Sequence, residues 1–374
     1  MRILLDYRPA LRDRSGVGEY VHQLARHLAT GAAGDSLTLF TSSWKDRPSA
    51  EVSAAVPGAR LSDHRIPVAW LNLAWHNLEW PPVEWLVSGP HDVVFSPHPL
   101  LMPTRRAARV VMVHDLDFLA HPERTAREIR RDYPRLAASH AGRAERVIVP
   151  SRYTAGEVCR KLAVPSDRIR VCPQGVPPWN APVAPRGAQT GYLLFMGTLE
   201  PRKNLGTLLG AYGRLLARRP DTPRLVLAGA AGPGAQSWLD AIVRPPLAGH
   251  VEHIGYVTHP QRQSVYSGAC ALVLPSFDEG FGMTALEAMS LGVPVVASDR
   301  GALPEVIGEA GLLVPPDSED ALVAALERVL FDESLAQTLS DRGRERARAF
   351  DWQVTARAVR AVFQEAIGSR AHRH

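Results

Sequence analysis

Pro275–Ser298 reads PSFDEGFGMTALEAMSLGVPVVAS and carries two carboxylates, Glu279 and Glu287, around a turn punctuated by Gly280 and Gly282. An ionised carboxylate accepts from two neighbouring hydroxyls at once, which is what the vicinal diol of a hexose or ribose offers. At the mouth of a helix, backbone amides such as those around Gly280, Phe281, Gly282, Met283 and Thr284 can donate to an oxyanion or hydroxyl. With Glu279 in the turn and Glu287 about one turn inside the helix, the two would stand roughly 10 Å apart at ~1.5 Å rise per residue. That is far for one acid–base pair and suits the gripping of two sugars in one ligand. The plain alternative is a helix N-terminus with a solvated glutamate.

Three further runs bear chemistry. After Tyr192–Met196 comes GTLEPRKNL, where Gly197 permits a tight turn and Arg202 and Lys203 stand just before a helix, placed to neutralise a diphosphate. Lys45, Lys161 and Lys203 are the only lysines of the chain. Ordinary first-turn basic residues are the alternative, although the macrodipole disfavours cations there. Near the N-terminus, SGVGEY sets Gly16 and Gly18 at a helix opening, where amides could approach a phosphate or simply form a tight turn. His114-Asp115-Leu116-Asp117 follows another strand. Its Asp-x-Asp could hold a divalent metal on a nucleotide sugar, whereas His114 alone could face a ligand or be an interior histidine.

The elements that position these residues alternate. Apolar runs at Ile3–Leu5, Leu37–Thr41, Val93–Phe95, Val110–Val113 and Val147–Val149 predict strands, and Val17–Ala29, Glu123–Ala138 and Thr154–Leu162 predict helices. Proline and glycine concentrate in Pro173–Arg186, an expected linker. A second alternation follows, with strands at Tyr192–Met196, Leu225–Ala228, Val251–Ile254, Ala271–Leu274 and Val293–Ala297. Its helices are expected near Leu205–Ala217, Ala235–Leu247, Pro260–Ser267 and Met283–Leu291. The expectation is an α/β chain of two doubly wound, Rossmann-like domains facing a cleft, with ligands at the carboxyl ends of the strands.

A length of 374 residues also favours two domains, and 45% hydrophobic residues can fill two cores. No stretch reaches ~20 apolar residues and MRILLDYRP is too quickly charged for a secretory signal, so a cytoplasmic location is expected. Cys159, Cys172 and Cys270 lack metal-type spacing and are expected to be reduced. Residues 1–185 hold 24 Lys and Arg against 18 Asp and Glu, whereas 186–374 hold 19 against 20. Arg124, Arg127, Arg131 and Arg135 recur at helical spacing, and Arg105, Arg106 and Arg109 cluster before a strand. An anionic acceptor or an anionic membrane could be attracted there, or the arginines could pair at the surface with Glu123, Glu128 and Asp132. Trp70, Trp75, Trp80 and Trp85 could form a sugar-stacking or lipid-facing platform, but large aromatics are expected in the core. The tail RAHRH is expected to fray.

The string from Glu279 through seven residues to Glu287, with its GFG and trailing ALEAMSLGVPVVAS, strongly resembles the donor-site signature of retaining glycosyltransferases of family 4, which includes bacterial mannosyltransferases and sucrose synthase. The resemblance extends along most of the chain. It implies the GT-B fold, with residues 1–175 as acceptor-side domain, 176–190 as linker, 191–350 as donor domain and the 351–374 helix returning to the first domain. It also implies a nucleoside diphosphate sugar as co-substrate, a hydroxyl acceptor, and no metal, other cofactor or nucleic acid. Lys203 and Arg202 would bind the donor phosphates, though many members carry Arg directly after the glycine, where this chain has Thr198. Glu279 would hold donor-sugar hydroxyls, Glu287 the ribose, and His114 would face the donor sugar. Gly16 and Gly18 would lie against phosphate or acceptor, Tyr256 and Val257 would flank the base, and Ser151 is a donor-side candidate with a helix N-cap as its alternative. The GTLEPRKN and HD variants resemble members that transfer mannose from GDP-mannose. An epimerase or hydrolase on the same fold, or a non-catalytic nucleotide-sugar-binding subunit, are the alternatives.

Overall fold

Two all-parallel sheets organise the computed structural model, which describes every residue except 12–15, 32–33, 49, 122–126, 180–186, 188 and 372–374. The chain divides into one unit of Met1–Gly175 with Asp351–His374, and a second of Val176–Phe350.

In the first unit, β1 (Arg2–Asp6), β2 (Ser36–Ser42), β3 (Arg60–His64), β4 (Val93–Ser96), β5 (Ala108–Met112), β6 (Arg146–Val149) and β7 (Ile169–Val171) lie in the order β3-β2-β1-β4-β5-β6-β7. The centre of this sheet is buried on both faces, which is why β1 and β4 are continuous apolar runs. The C-terminal helix, Trp352–Ala371, belongs to this unit: Arg360 pairs with Asp35 at 2.6 Å, and Glu365 accepts from Arg146 and Arg170, each at 3.0 Å. Phe363 packs on Phe95 with ring centroids 5.3 Å apart.

The second unit carries β8 (Tyr192–Met196), β9 (Leu225–Ala228), β10 (Val251–Gly255), β11 (Ala269–Leu274), β12 (Val295–Ser298) and β13 (Gly311–Val314), in the order β10-β9-β8-β11-β12-β13. The chain builds outward from β8 to β10 on one side, then crosses to β11 and builds outward on the other. The carboxyl ends of β8 and β11, paired through Leu194 and Leu272, therefore form a topological switch point. One apolar layer packs the sheet against the helices Leu205–Arg218 and Glu319–Phe331; another packs it against Met283–Ser290.

Several expectations need correction. Strands β3, β7 and β13 were not expected; all three lie at sheet edges and none is fully buried, whereas the fourth edge strand, β10, is legible in Val251–Ile254. The helix expected over Ala235–Leu247 is confined to Gln236–Ile242, and β12 starts at Val295, one residue after a proline that cannot donate to a ladder. Of the tryptophans expected in the core, Trp75 is buried, but Trp70, Trp80 and Trp85 are exposed. The tail is helical through Arg370 and Ala371, and its last residues, 372–374, lie outside the described set. Also outside it are Glu123, Arg124, the side chains of Arg127, Glu128 and Arg131, and linker residues 180–186 and 188. Cys172 and Cys270 are buried free thiols, each pushed up to about 12 by burial.

Candidate active site

At the switch point of the second unit, two loops separated by more than seventy residues are stitched together. The loop after β8 makes a single 3₁₀ turn, Pro201–Lys203, and the amide of Phe277, in the loop after β11, donates to the Arg202 carbonyl at 2.9 Å. Asn204, at the start of the helix Leu205–Arg218, donates its side-chain amide to the carbonyls of Pro275 at 3.0 Å and Pro316 at 2.6 Å. These backbone ties place Lys203 and Arg202 against Glu279. Lys203 Nζ donates to Glu279 Oε1 at 2.6 Å, Arg202 reaches Glu279 Oε2 at 3.2 Å, and Ser276 Oγ donates to Oε1 at 2.8 Å. Arg202 is also forked onto Glu200 and donates to the Asp278 carbonyl at 3.0 Å. Gly197 borders the lysine stem: a Cβ there would stand 3.6 Å from Lys203 Cε.

Burial alone would raise the Glu279 carboxyl, but the charges of Lys203 and Arg202 and the bonds from Lys203 and Ser276 outweigh it and hold the group at about 2. Glu279 is thus a fixed anion. The turn then closes through buried Gly280 and Phe281, whose ring meets Phe350 edge to face at 5.8 Å. Gly282 caps the helix Met283–Ser290 at φ 100°, a conformation open to glycine, and a Cβ there would come within 2.7 Å of Leu303. Met283 and Thr284 are half-buried at the helix mouth.

Glu287 sits in a different pocket. It is buried, accepts from the Tyr266 hydroxyl at 2.7 Å, and pairs with Arg262 at 3.1 Å. Burial raises its carboxyl, and Arg262 and Tyr266 counter this only in part. Arg262 and Tyr266 share one face of the helix His259–Ser267, four residues apart, and Trp179 packs on the Tyr266 ring at 5.6 Å. In the loop after β10, Tyr256 is exposed and Val257 is buried in the apolar layer.

The remaining expected site residues lie in the first unit. His114 donates through Nε2 to the Pro97 carbonyl, 3.2 Å away, and meets the Tyr20 ring edge-on at 5.1 Å. Burial lowers its imidazole to about 4, so the ring is neutral at physiological pH, and an Nε2–H donated to Pro97 leaves Nδ1 as the acceptor. Asp115 accepts from the Asp117 amide at 3.2 Å, and Asp117 opens a short helix. No group of three or more His, Cys, Asp or Glu among the described residues is arranged to hold a metal ion. Gly16 precedes the helix Val17–Thr30 at φ 49°, with open space where a Cβ would stand. Gly18 serves packing, since a Cβ there would meet the Pro9 carbonyl oxygen at 2.7 Å. Ser151 is buried and caps the helix Arg152–Leu162 by accepting from the Thr154 amide at 3.0 Å, and its hydroxyl meets Thr154 Oγ1 at 3.1 Å.

Sequence reasoning missed Ser276, Arg262, Tyr266 and Glu200. The spacing of Arg262 and Tyr266 on one helix face was the available signal; nothing local tied that face to Glu287.

Comparison with known proteins supplies a family and a fold. The family described as "Glycosyltransferase Family 4" matches residues 14–179, and that described as "Glycosyl transferases group 1" matches residues 190–332. The O-antigen chain mannosyltransferase B of Escherichia coli is 29% identical over 371 residues, covering 94% of this chain and 97% of that protein. The phosphatidyl-myo-inositol mannosyltransferase of Mycolicibacterium smegmatis is 35% identical over 189 residues, 50% of this chain and 47% of that protein. Among solved structures, the sucrose-phosphate synthase from Thermosynechococcus elongatus superposes with a TM-score of 0.76 at 25% identity, over 97% of this chain and 98% of that one.

Proposed function

The chain belongs to the group 1, family 4 glycosyltransferases of GT-B fold, and from that premise we propose that it transfers mannose from GDP-mannose to a hydroxyl acceptor, with retention and without a metal ion. The observation that carries the donor side of this reading is the Lys203–Glu279–Arg202 cluster at the β8/β11 switch point. Mannose is favoured by the two mannosyltransferase relatives. The acceptor class is a saccharide, a lipid-linked saccharide or a small molecule.

In this reading the bond between the anomeric carbon and the β-phosphate oxygen breaks while the acceptor oxygen bonds to the same carbon on the same face. The acceptor proton passes to the departing phosphate. Negative charge grows on that phosphate, and Lys203, Arg202 and the amides of Gly280–Thr284 supply positive potential to it. Glu279 orients Lys203 and accepts from donor-sugar hydroxyls; its low pKa keeps it an acceptor throughout. Glu287, held by Tyr266 and Arg262, grips the ribose, with Tyr256 and Val257 beside the base. His114 contributes a neutral ring rather than a charge.

The test is a donor screen with an acceptor panel in excess EDTA, with the product anomer read by NMR. GDP-mannose turnover giving the donor's own anomeric configuration is expected. Preference for another nucleotide sugar would overturn the donor assignment, an inverted product the retention, and loss of activity in EDTA the metal independence.

A further inference from the structure

We propose that the Trp70–Trp85 face of the first unit docks on an anionic lipid bilayer. The helix Val68–Asn77 is apolar on two sides: Leu71 and Trp75 fill the core, while Trp70 is 76% exposed and Leu73 54%. The chain then continues through Leu78, Trp80 and Trp85, which are 72%, 53% and 60% exposed. Trp80 and Trp85 pack edge to face at 6.0 Å, forming a two-ring wedge rather than two isolated side chains. Isolated exposed apolar residues are ordinary, but here Trp70 and Leu73 lie three apart on one helix face and Trp80 and Trp85 touch, an exposed apolar grouping within sixteen positions of the kind that marks an interaction surface.

The occupant is indicated by charge and side-chain type. Arg105 lies over the Trp85 ring at 5.3 Å, Arg135 donates to Asn77 at 2.9 Å, and Arg143 pairs with Glu79 at 2.5 Å. A groove of about 360 Å³ opens beside the wedge, with Leu78, Trp80, Leu101 and Met102 as its apolar wall and Arg105 and Arg143 at its rim. Of the nearby acids, Glu145 is buried against Arg109, and Glu84 is occupied by Thr104 and the amides of Arg105 and Arg106. Among the described residues lining the groove, that leaves Glu79 as the exposed carboxylate. Tryptophan beside arginine suits a headgroup layer, where the indole sits at the interface and the guanidinium binds phosphate. A second copy of the chain fits less well, because a two-fold contact through this patch would set its arginines against their own copies. No described helix is long and apolar enough to cross a membrane, so the contact is peripheral.

The test is co-sedimentation of the full chain with phosphatidylcholine vesicles, with and without about one-third phosphatidylglycerol. It is read without donor or acceptor, so its outcome is separate from that of the transfer reaction. The wild type is expected to bind the anionic vesicles at least about tenfold better, with binding weakened by salt. Trp80→Ser/Trp85→Ser and Trp70→Ser/Leu73→Ser should each lose about tenfold in partition. Arg105→Gln/Arg143→Gln should lose the preference for anionic lipid, while Val243→Ser, an exposed apolar change in the other unit, should bind as wild type. Thermal unfolding checks that each variant is folded. Equal binding to neutral vesicles, no binding at all, wild-type binding by the tryptophan variants, or loss of self-association in place of vesicle binding would overturn the proposal.

Discussion

Glu279 and Glu287 stand eight positions apart in one motif, and both are buried, yet their pockets drive them in opposite directions. Glu279 faces an ammonium, a guanidinium and a hydroxyl, and is held at about 2. Glu287 faces one guanidinium and a phenol, and its carboxyl is raised. Burial acts on both in the same sense; the number of cations at hydrogen-bond distance decides the sign. In the proposed reading the first is a permanent counter-ion for the cations that meet the donor phosphates, and the second reads ribose hydroxyls.

The largest expected effect comes from removing the cation that separates the two pockets. Lys203→Ala should lower the transfer rate about a thousandfold and abolish nucleotide binding by calorimetry. It should also cost stability, because Lys203 is the largest single influence holding buried Glu279 ionised, with Arg202 and Ser276 left to compensate in part. Unaltered turnover would refute the phosphate role.

Glu279→Gln leaves Lys203 buried without its counter-charge. It should cost about 3 kcal/mol of stability in denaturant titration, and about a hundredfold in rate. Gln at Glu287 should cost far less stability, since a group that burial already drives toward neutrality loses little on being neutralised.

The pH dependence should differ in sign between these variants. Glu279 has a folded pKa of about 2 against an ordinary 4.5, so its contribution is present above about pH 4.5 and is lost as pH falls toward 2, with a size of about 3 kcal/mol. Glu287 is raised, so its penalty is absent below the unfolded pKa and grows as pH rises through the folded one. The stability difference of Glu279→Gln from wild type should therefore widen unfavourably as pH rises from 2 to 4.5. That of Glu287→Gln should move favourably with rising pH. Parallel curves would remove the distinction drawn between the two pockets.

The smallest effect is expected from Tyr266→Phe, which removes one hydrogen bond to Glu287. About 1 kcal/mol of stability and a several-fold weaker nucleotide affinity are expected. An affinity unchanged within error would detach Glu287 from the ligand.

The strands that flank the switch point were readable because they are buried on both faces and so are unbroken apolar runs, as in Ala269–Leu274. The edge strand Arg60–His64 carries polar residues and was not, although the edge strand Val251–Gly255 was. Lys203 and Glu279 were each legible from local composition, but their mutual bond was not, since 76 positions separate them. Ser151 and Gly18 show the converse: residue types that suit a ligand also have local structural work, as a helix cap and at a close backbone approach.

By itself, the sequence determined the two βα alternations, the glycine turn with its paired glutamates and the basic pair before a helix, because periodicity and turn chemistry are local. Tertiary structure decided which cation meets which carboxylate, and which tryptophan of four enters the core. Those outcomes depend on β8 and β11 being sheet neighbours, and on which face of the helix Val68–Asn77 turns inward. Such facts follow from packing across the chain, and no local spacing encodes them.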